Sequence, residues 1–166
     1  APFAEGSIFS IFISGLSNGQ GIALGQGPLA GSLFIAGFPG RVGRITLAPV
    51  GLSVFASGPL FSFPEAVASA PDGSLYIVNL GFNPPRLVKT SPSGVPSNFA
   101  VGTGSQTNRA VIVDTAGNVY WSHPNGINKY DSNGNLLGTL PGPPDKPVYE
   151  NPMGAAFDST GNLYIV

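Results

Sequence analysis

Hydrophobic residues in this chain fall in short runs of two kinds. In Leu33-Phe34-Ile35-Ala36, Leu75-Tyr76-Ile77-Val78, Val119-Tyr120-Trp121-Ser122 and Leu163-Tyr164-Ile165-Val166, neighbouring residues are apolar with almost no interruption. A run that short, rich in aromatic and β-branched side chains and bounded by turn residues, predicts a strand buried on both faces. Elsewhere polar and apolar residues alternate, as in Gly43-Arg44-Ile45-Thr46-Leu47, Arg86-Leu87-Val88-Lys89 and Ile127-Asn128-Lys129-Tyr130. Alternation predicts strands with one wet face. No stretch carries helical periodicity.

The buried runs start at residues 33, 75, 119 and 163, a spacing of 42 to 44 residues. Each closes a hairpin. Residues 66–78, 110–122 and 154–166 align without gaps, and residues 21–36 align once three residues are inserted around 25–30. The hairpins turn at Asp72-Gly73, Ala116-Gly117 and Thr160-Gly161, where glycine supplies the positive φ of a tight turn. Asp114 and Asp158 stand three residues before their glycines, placed to accept N–H groups of their own turns. An alternating third strand and a fourth strand follow, the latter at residues 52–56, 97–101 and 136–140. Ser10-Ile11-Phe12-Ile13-Ser14-Gly15 matches the fourth-strand segment Ser53-Val54-Phe55-Ala56-Ser57-Gly58. The order is one outer strand, three sets of four and a final pair: fifteen strands.

Four-stranded antiparallel units at this period predict an all-β fold, a β-propeller of about 3.5 blades. Small residues at Ala66, Ala68, Ala110, Ala155 and Ala156 suit innermost strands that crowd the axis. The expected organisation is a single repeat domain: an outer strand at 1–17, blades at 18–62, 63–106 and 107–150, and a half blade at 151–166. Three arrangements accommodate the half blade. The chain is an excerpt of a longer propeller of about six blades, it closes imperfectly on itself, or its open strands pair with other copies. The last option names Ile11, Phe12 and Ile13 at one end and Leu163, Tyr164 and Ile165 at the other as assembly strands, because unpaired strand edges recruit strands from other chains.

Composition narrows the function. Charged residues are only 9% of the chain, the formal net charge is -1 and the seven Lys and Arg are scattered, so nucleic-acid binding is not expected. No apolar run reaches the ~18 residues of a membrane span. There is no cysteine to build disulfides or thiolate metal sites. A surface of Ser, Thr, Asn and Gly, with a first residue Ala1 followed by Pro2, points to an extracellular or cell-surface protein.

Asp158-Ser159-Thr160-Gly161-Asn162-Leu163-Tyr164-Ile165-Val166 resembles the NHL-type propeller repeat, and is similar to the repeats of gluconolactonase-like and virginiamycin-lyase-like propellers. Asp72-Gly73-Ser74-Leu75-Tyr76-Ile77-Val78-Asn79 and Gly117-Asn118-Val119-Tyr120 repeat the pattern. The resemblance covers most of the chain. It implies the fold, and a binding site at the channel mouth where loops enter the innermost strands. Those entries hold Gln20, Glu65, Asn108 with Arg109, and Met153. In the gluconolactonase-like relatives a divalent metal such as Ca2+ is held there by Glu, Asn and Asp. Glu65 and Asn108 match two of those ligands, but no Asp is present and Ca2+ takes six to eight oxygens. The expectation is therefore no cofactor, with Glu65 and Arg109 paired or solvated. His123, the lone histidine, is expected on a surface loop rather than as the general base of the lyase-like family.

Two functions follow. One is a non-enzymatic secreted scaffold or binding module whose partner is another copy of itself or another protein. The other is a fragment of a metal-dependent propeller hydrolase or lyase. The low charge, the open terminal strands and the lack of converging acids favour the first.

Overall fold

A computed structural model describes residues 20–37, 40–47, 49–102, 109–124, 126–141 and 152–166. Their strands form three four-stranded antiparallel sheets and one hairpin, each running outward in chain order. The first sheet holds β1 (Gly21–Leu24), β2 (Ser32–Ala36), β3 (Arg41–Leu47) and β4 (Val50–Ser57). The second holds β5 (Pro64–Ser69), β6 (Leu75–Asn79), β7 (Arg86–Thr90) and β8 (Pro96–Val101), and the third β9 (Val111–Val113), β10 (Val119–His123), β11 (Gly126–Tyr130) and β12 (Leu136–Leu140). The hairpin pairs β13 (Ala155–Phe157) with β14 (Leu163–Ile165). These are the blades of a β-propeller, in an arc that does not close. The expected outer strand at Ser10–Gly15 lies outside the described residues. The inserted residues of the divergent first repeat form a single 3-10 turn, Gly27–Leu29.

The innermost strands meet in chain order, β1 on β5, β5 on β9 and β9 on β13. Their approach explains the small residues: a Cβ on Gly21 would lie 2.7 Å from the Ala66 Cα. The second strands fill the space between sheets. All five residues of β6 are buried. Phe34, Ala36 and Val42 of the first sheet pack with Val67, Leu75, Ile77 and Val88 of the second. Tyr76, Val78 and Leu87 pack with Val111, Val119, Trp121 and Tyr130 of the third. Each large apolar side chain so buried contributes about 1.5–3 kcal/mol. Edge-to-face rings recur: Phe34 on Phe55 at 4.8 Å, and Tyr76 on Phe99 at 4.9 Å.

The turns are built alike. In residues 114–118 the Gly117 N–H donates to the Asp114 carbonyl and the Asp114 N–H to the Asn118 carbonyl, with Gly117 at φ 85°. This is a type I turn closed by a left-handed glycine. The same bonds recur at 70–74, 91–95, 131–135 and 158–162.

Candidate functional site

Glu65 stands where the β5–β6 register shifts between Pro64 and Ala66, so it is the extra residue of a bulge. Bulges re-aim side chains, and the Glu65 carboxylate accepts a hydrogen bond from Arg109 Nη1 at 2.9 Å. Arg109 lies just before β9, so the pair bridges the entries of the second and third sheets. With side chains 41% exposed for Arg109 and 22% for Glu65, it is worth no more than about 1 kcal/mol. Of the two expected states, paired or solvated, the structure holds the pair.

Beside Glu65 a cleft of about 480 Å³ is lined by Gln20, Phe61, Ser62, Phe63 and Pro64. Gln20 and Glu65 therefore share one cleft, and Arg109 joins them through the ion pair. Met153 is 56% exposed at the entry to β13, its N–H donating to the Val166 carbonyl, and does not line the cleft. Asn108 lies outside the described residues, as do Ile11, Phe12 and Ile13. Leu163, Tyr164 and Ile165 form β14.

Phe63 belongs to the entry tripeptide Phe63-Pro64-Glu65, where sequence reasoning assigned it no role. It is 79% exposed and has φ 45°. A bulky residue rarely takes that conformation, and the residue before a proline normally extends. Backbone bonds hold it there: the Leu80 N–H donates to the Phe63 carbonyl and the Gly81 N–H to the Ser62 carbonyl. Buried Asn79 accepts from the Ser62 N–H and donates to the Ile77 carbonyl. A Cβ on Gly81 would crowd the Ser62 hydroxyl and the Phe63 ring. Strain held in this way presents an aromatic face to solvent. The only sequence signal was an aromatic directly before Pro64-Glu65.

His123 corrects an expectation. It is the last residue of β10, paired with Gly126, and only partly exposed. Strand pairing continues past Ser122, carrying the imidazole off the loop. Burial lowers its pKa, opposed by a hydrogen bond with Asn128.

The turn aspartates are structural. Asp114 accepts the Ala116 and Asn118 N–H groups, the Asn118 side chain and the Tyr120 hydroxyl. Asp158 repeats the set with Thr160, Asn162 and Tyr164. Asp131, which the sequence reading passed over, does so with Asn133 and Asn135; its Asp-x-x-Gly-Asn spacing was the available signal. Burial raises the Asp114 pKa, but the bonds from Asn118, Tyr120 and Ala116 outweigh it and leave it lowered. The Asn135 bonds lower Asp131, and those from Asn162 and Thr160 hold Asp158 far below the usual carboxylate range.

Among the described residues no three His, Asp or Glu side chains converge as a metal site. A carboxylate neutralised by a guanidinium, the amide of Gln20 and the thioether of Met153 do not fit the oxygen-rich shell of Ca2+. Gly15-Leu16-Ser17-Asn18-Gly19 has the spacing of a nucleophile elbow, a signal the repeat reading passed over. It lies outside the described residues, and an elbow belongs to a strand-to-helix turn.

Neither a protein-family model nor a curated protein sequence matches the chain. Solved structures do match in fold. A nidogen/laminin complex is similar over 89% of this chain and 56% of that one, at 19% identity and TM-score 0.69. A streptogramin B lyase is similar over 93% and 50%, at 13% identity and TM-score 0.70. A virginiamycin B lyase from Staphylococcus aureus is similar over 89% and 48%, at 18% identity and TM-score 0.67. The chain thus spans about half the length of these structures. At such identities the likeness establishes the β-propeller fold, which hosts both binding modules and enzymes.

Proposed function

We propose that this chain is a non-catalytic extracellular repeat protein, a scaffold or binding module that associates head to tail with its own copies. One observation carries the reading: apolar side chains stand exposed on the first and last strands of the described residues. Ile22 and Leu24 are 65% and 62% exposed at one end, Tyr164 and Val166 60% and 84% at the other. Contiguous exposed apolar surface marks interaction sites. The Glu65–Arg109 pair supports a non-catalytic role, since it occupies the carboxylate that a metal or an acid–base step would need. The low charge supports export.

Sedimentation velocity over a concentration series tests association. Species heavier than the 16.9 kDa chain are expected; a monomer at every concentration overturns the reading. Glu65→Ala is expected to leave thermal unfolding unchanged with or without Ca2+. A calcium-dependent stabilisation of the parent chain, lost in that variant, would instead favour the metal-dependent enzyme.

A further inference from the structure

We propose that the cleft beside Glu65 binds a neutral saccharide, with one pyranose ring stacked on Phe63 and its hydroxyls held by Gln20, Glu65 and Arg109. This inference rests on the non-catalytic reading above and goes beyond it by naming a ligand class. It does not depend on association between copies.

The backbone gives the first reason. Phe63 is the one non-glycine residue with positive φ among the described residues. That conformation wins its side chain no burial, since the residue stays 79% exposed. It is nevertheless fixed from below. The Phe63 carbonyl accepts from the Leu80 N–H at 3.1 Å and the Ser62 carbonyl from the Gly81 N–H at 3.0 Å. The Ser62 N–H donates to Asn79 Oδ1 at 3.2 Å, and Asn79 is fully buried. Strain held by its surroundings, on a side chain with no role in the core, marks a residue positioned for a ligand. The cleft that it borders, at about 480 Å³, has the size of a small-molecule site.

The polar groups decide the class. The bonds that fix this segment occupy the Ser62 N–H and both carbonyls, and Pro64 has no N–H. An added strand therefore finds no ladder to join. Side chains remain: the Gln20 amide donates and accepts, the Glu65 carboxylate accepts, and the Arg109 guanidinium, brought in by the ion pair, donates. Hydroxyl groups, each both donor and acceptor, match that mixed set. A polyproline segment offers carbonyl acceptors without donors. A hydrocarbon offers neither, and a charged ligand has to break the Glu65–Arg109 pair, whose charges cancel. A pyranose also carries an apolar C–H face, which suits the electron-rich face of the Phe63 ring.

The test is saturation-transfer NMR on the whole chain in EDTA, titrated with hexasaccharides of glucose, galactose and N-acetylglucosamine, and with hexaproline. At least one saccharide is expected to bind, and hexaproline is not. Phe63→Ala is expected to lower affinity by roughly tenfold or more, as for a central aromatic anchor. Phe63→Gly separates a ligand role from a structural one. Glycine relieves the positive φ, so the thermal midpoint should hold or rise while binding is lost. A parent chain that binds no saccharide, or Phe63 variants that bind like the parent, overturn the site and leave the non-catalytic reading standing. A saccharide that binds and is cleaved, as read by mass spectrometry, upholds the site and overturns that reading. Hexaproline bound in place of any saccharide overturns the ligand class. If Phe63→Ala unfolds, Gln20→Ala applies the same criterion.

Discussion

Tyr76, Tyr120 and Tyr164 share one place in successive repeats, but their hydroxyls differ. Tyr120 and Tyr164 donate to Asp114 and Asp158 at 3.1 and 3.3 Å. Tyr76 has Ala70 where those repeats have aspartate, and its hydroxyl is buried with no hydrogen-bond partner among the described residues. Tyr120→Phe should then cost about 1 kcal/mol in urea unfolding, while Tyr76→Phe should be neutral or stabilising by a similar amount. A clear loss at Tyr76→Phe would show that its hydroxyl is satisfied in solution. Burial, helped by the Asp72 and Asp131 carboxylates, also pushes the Tyr76 pKa up to about 12. The native state then keeps a proton that the unfolded chain releases near pH 10, so stability should fall between pH 10 and 12. Phenolate absorbance should show one of the five tyrosines titrating near 12. The turn aspartates act at the other extreme. Their pKa values are lowered in the native state, so their contribution is present above the ordinary carboxylate pKa and is lost as pH falls below about 4. Asp114→Asn should flatten that acid limb in a thermal melt.

At the scale of elements, spacing between blades depends on turns as well as cores. Gly94, in the turn between β7 and β8, has φ 84°, and a Cβ there would collide with the Phe55 carbonyl oxygen of the previous sheet. Gly117, between β9 and β10, has φ 85°, yet a Cβ there would meet nothing within 4 Å. Both glycines relieve the same backbone strain, but only Gly94 also permits a close approach. Gly117→Ala should cost about 1 kcal/mol, and Gly94→Ala clearly more, read from denaturation midpoints. Equal losses would mean that the blades shift apart without penalty.

For the whole molecule, each sheet is stabilised by its neighbours, as in other repeat arrays. The second sheet is covered on both faces, while β13–β14 leans on the third through Phe157 and leaves Tyr164 to solvent. In the dilute, monomeric chain, amide hydrogen exchange should therefore be fastest in Leu163–Ile165 and slowest in Leu75–Asn79. Exchange at Leu163–Ile165 should slow in the associated parent chain. Uniform protection would contradict a stack stabilised from its centre.

The sequence alone determined the strand order, the blade as the repeating unit and the turns. These rest on local physics: alternation, short apolar runs and glycine at positive φ are visible along one stretch of chain. It also identified the entry residues Gln20, Glu65, Arg109 and Met153. Tertiary structure decided which of them meet, because Glu65 reaches Arg109 through a bulge and across two sheets while Met153 stands apart. It alone revealed Phe63, whose backbone conformation comes from bonds to Leu80 and Gly81 in another strand's loop. The same distinction holds for Tyr164. Its sequence context matches that of Tyr76 and Tyr120, yet it is exposed where they are buried, because burial depends on what packs above a side chain.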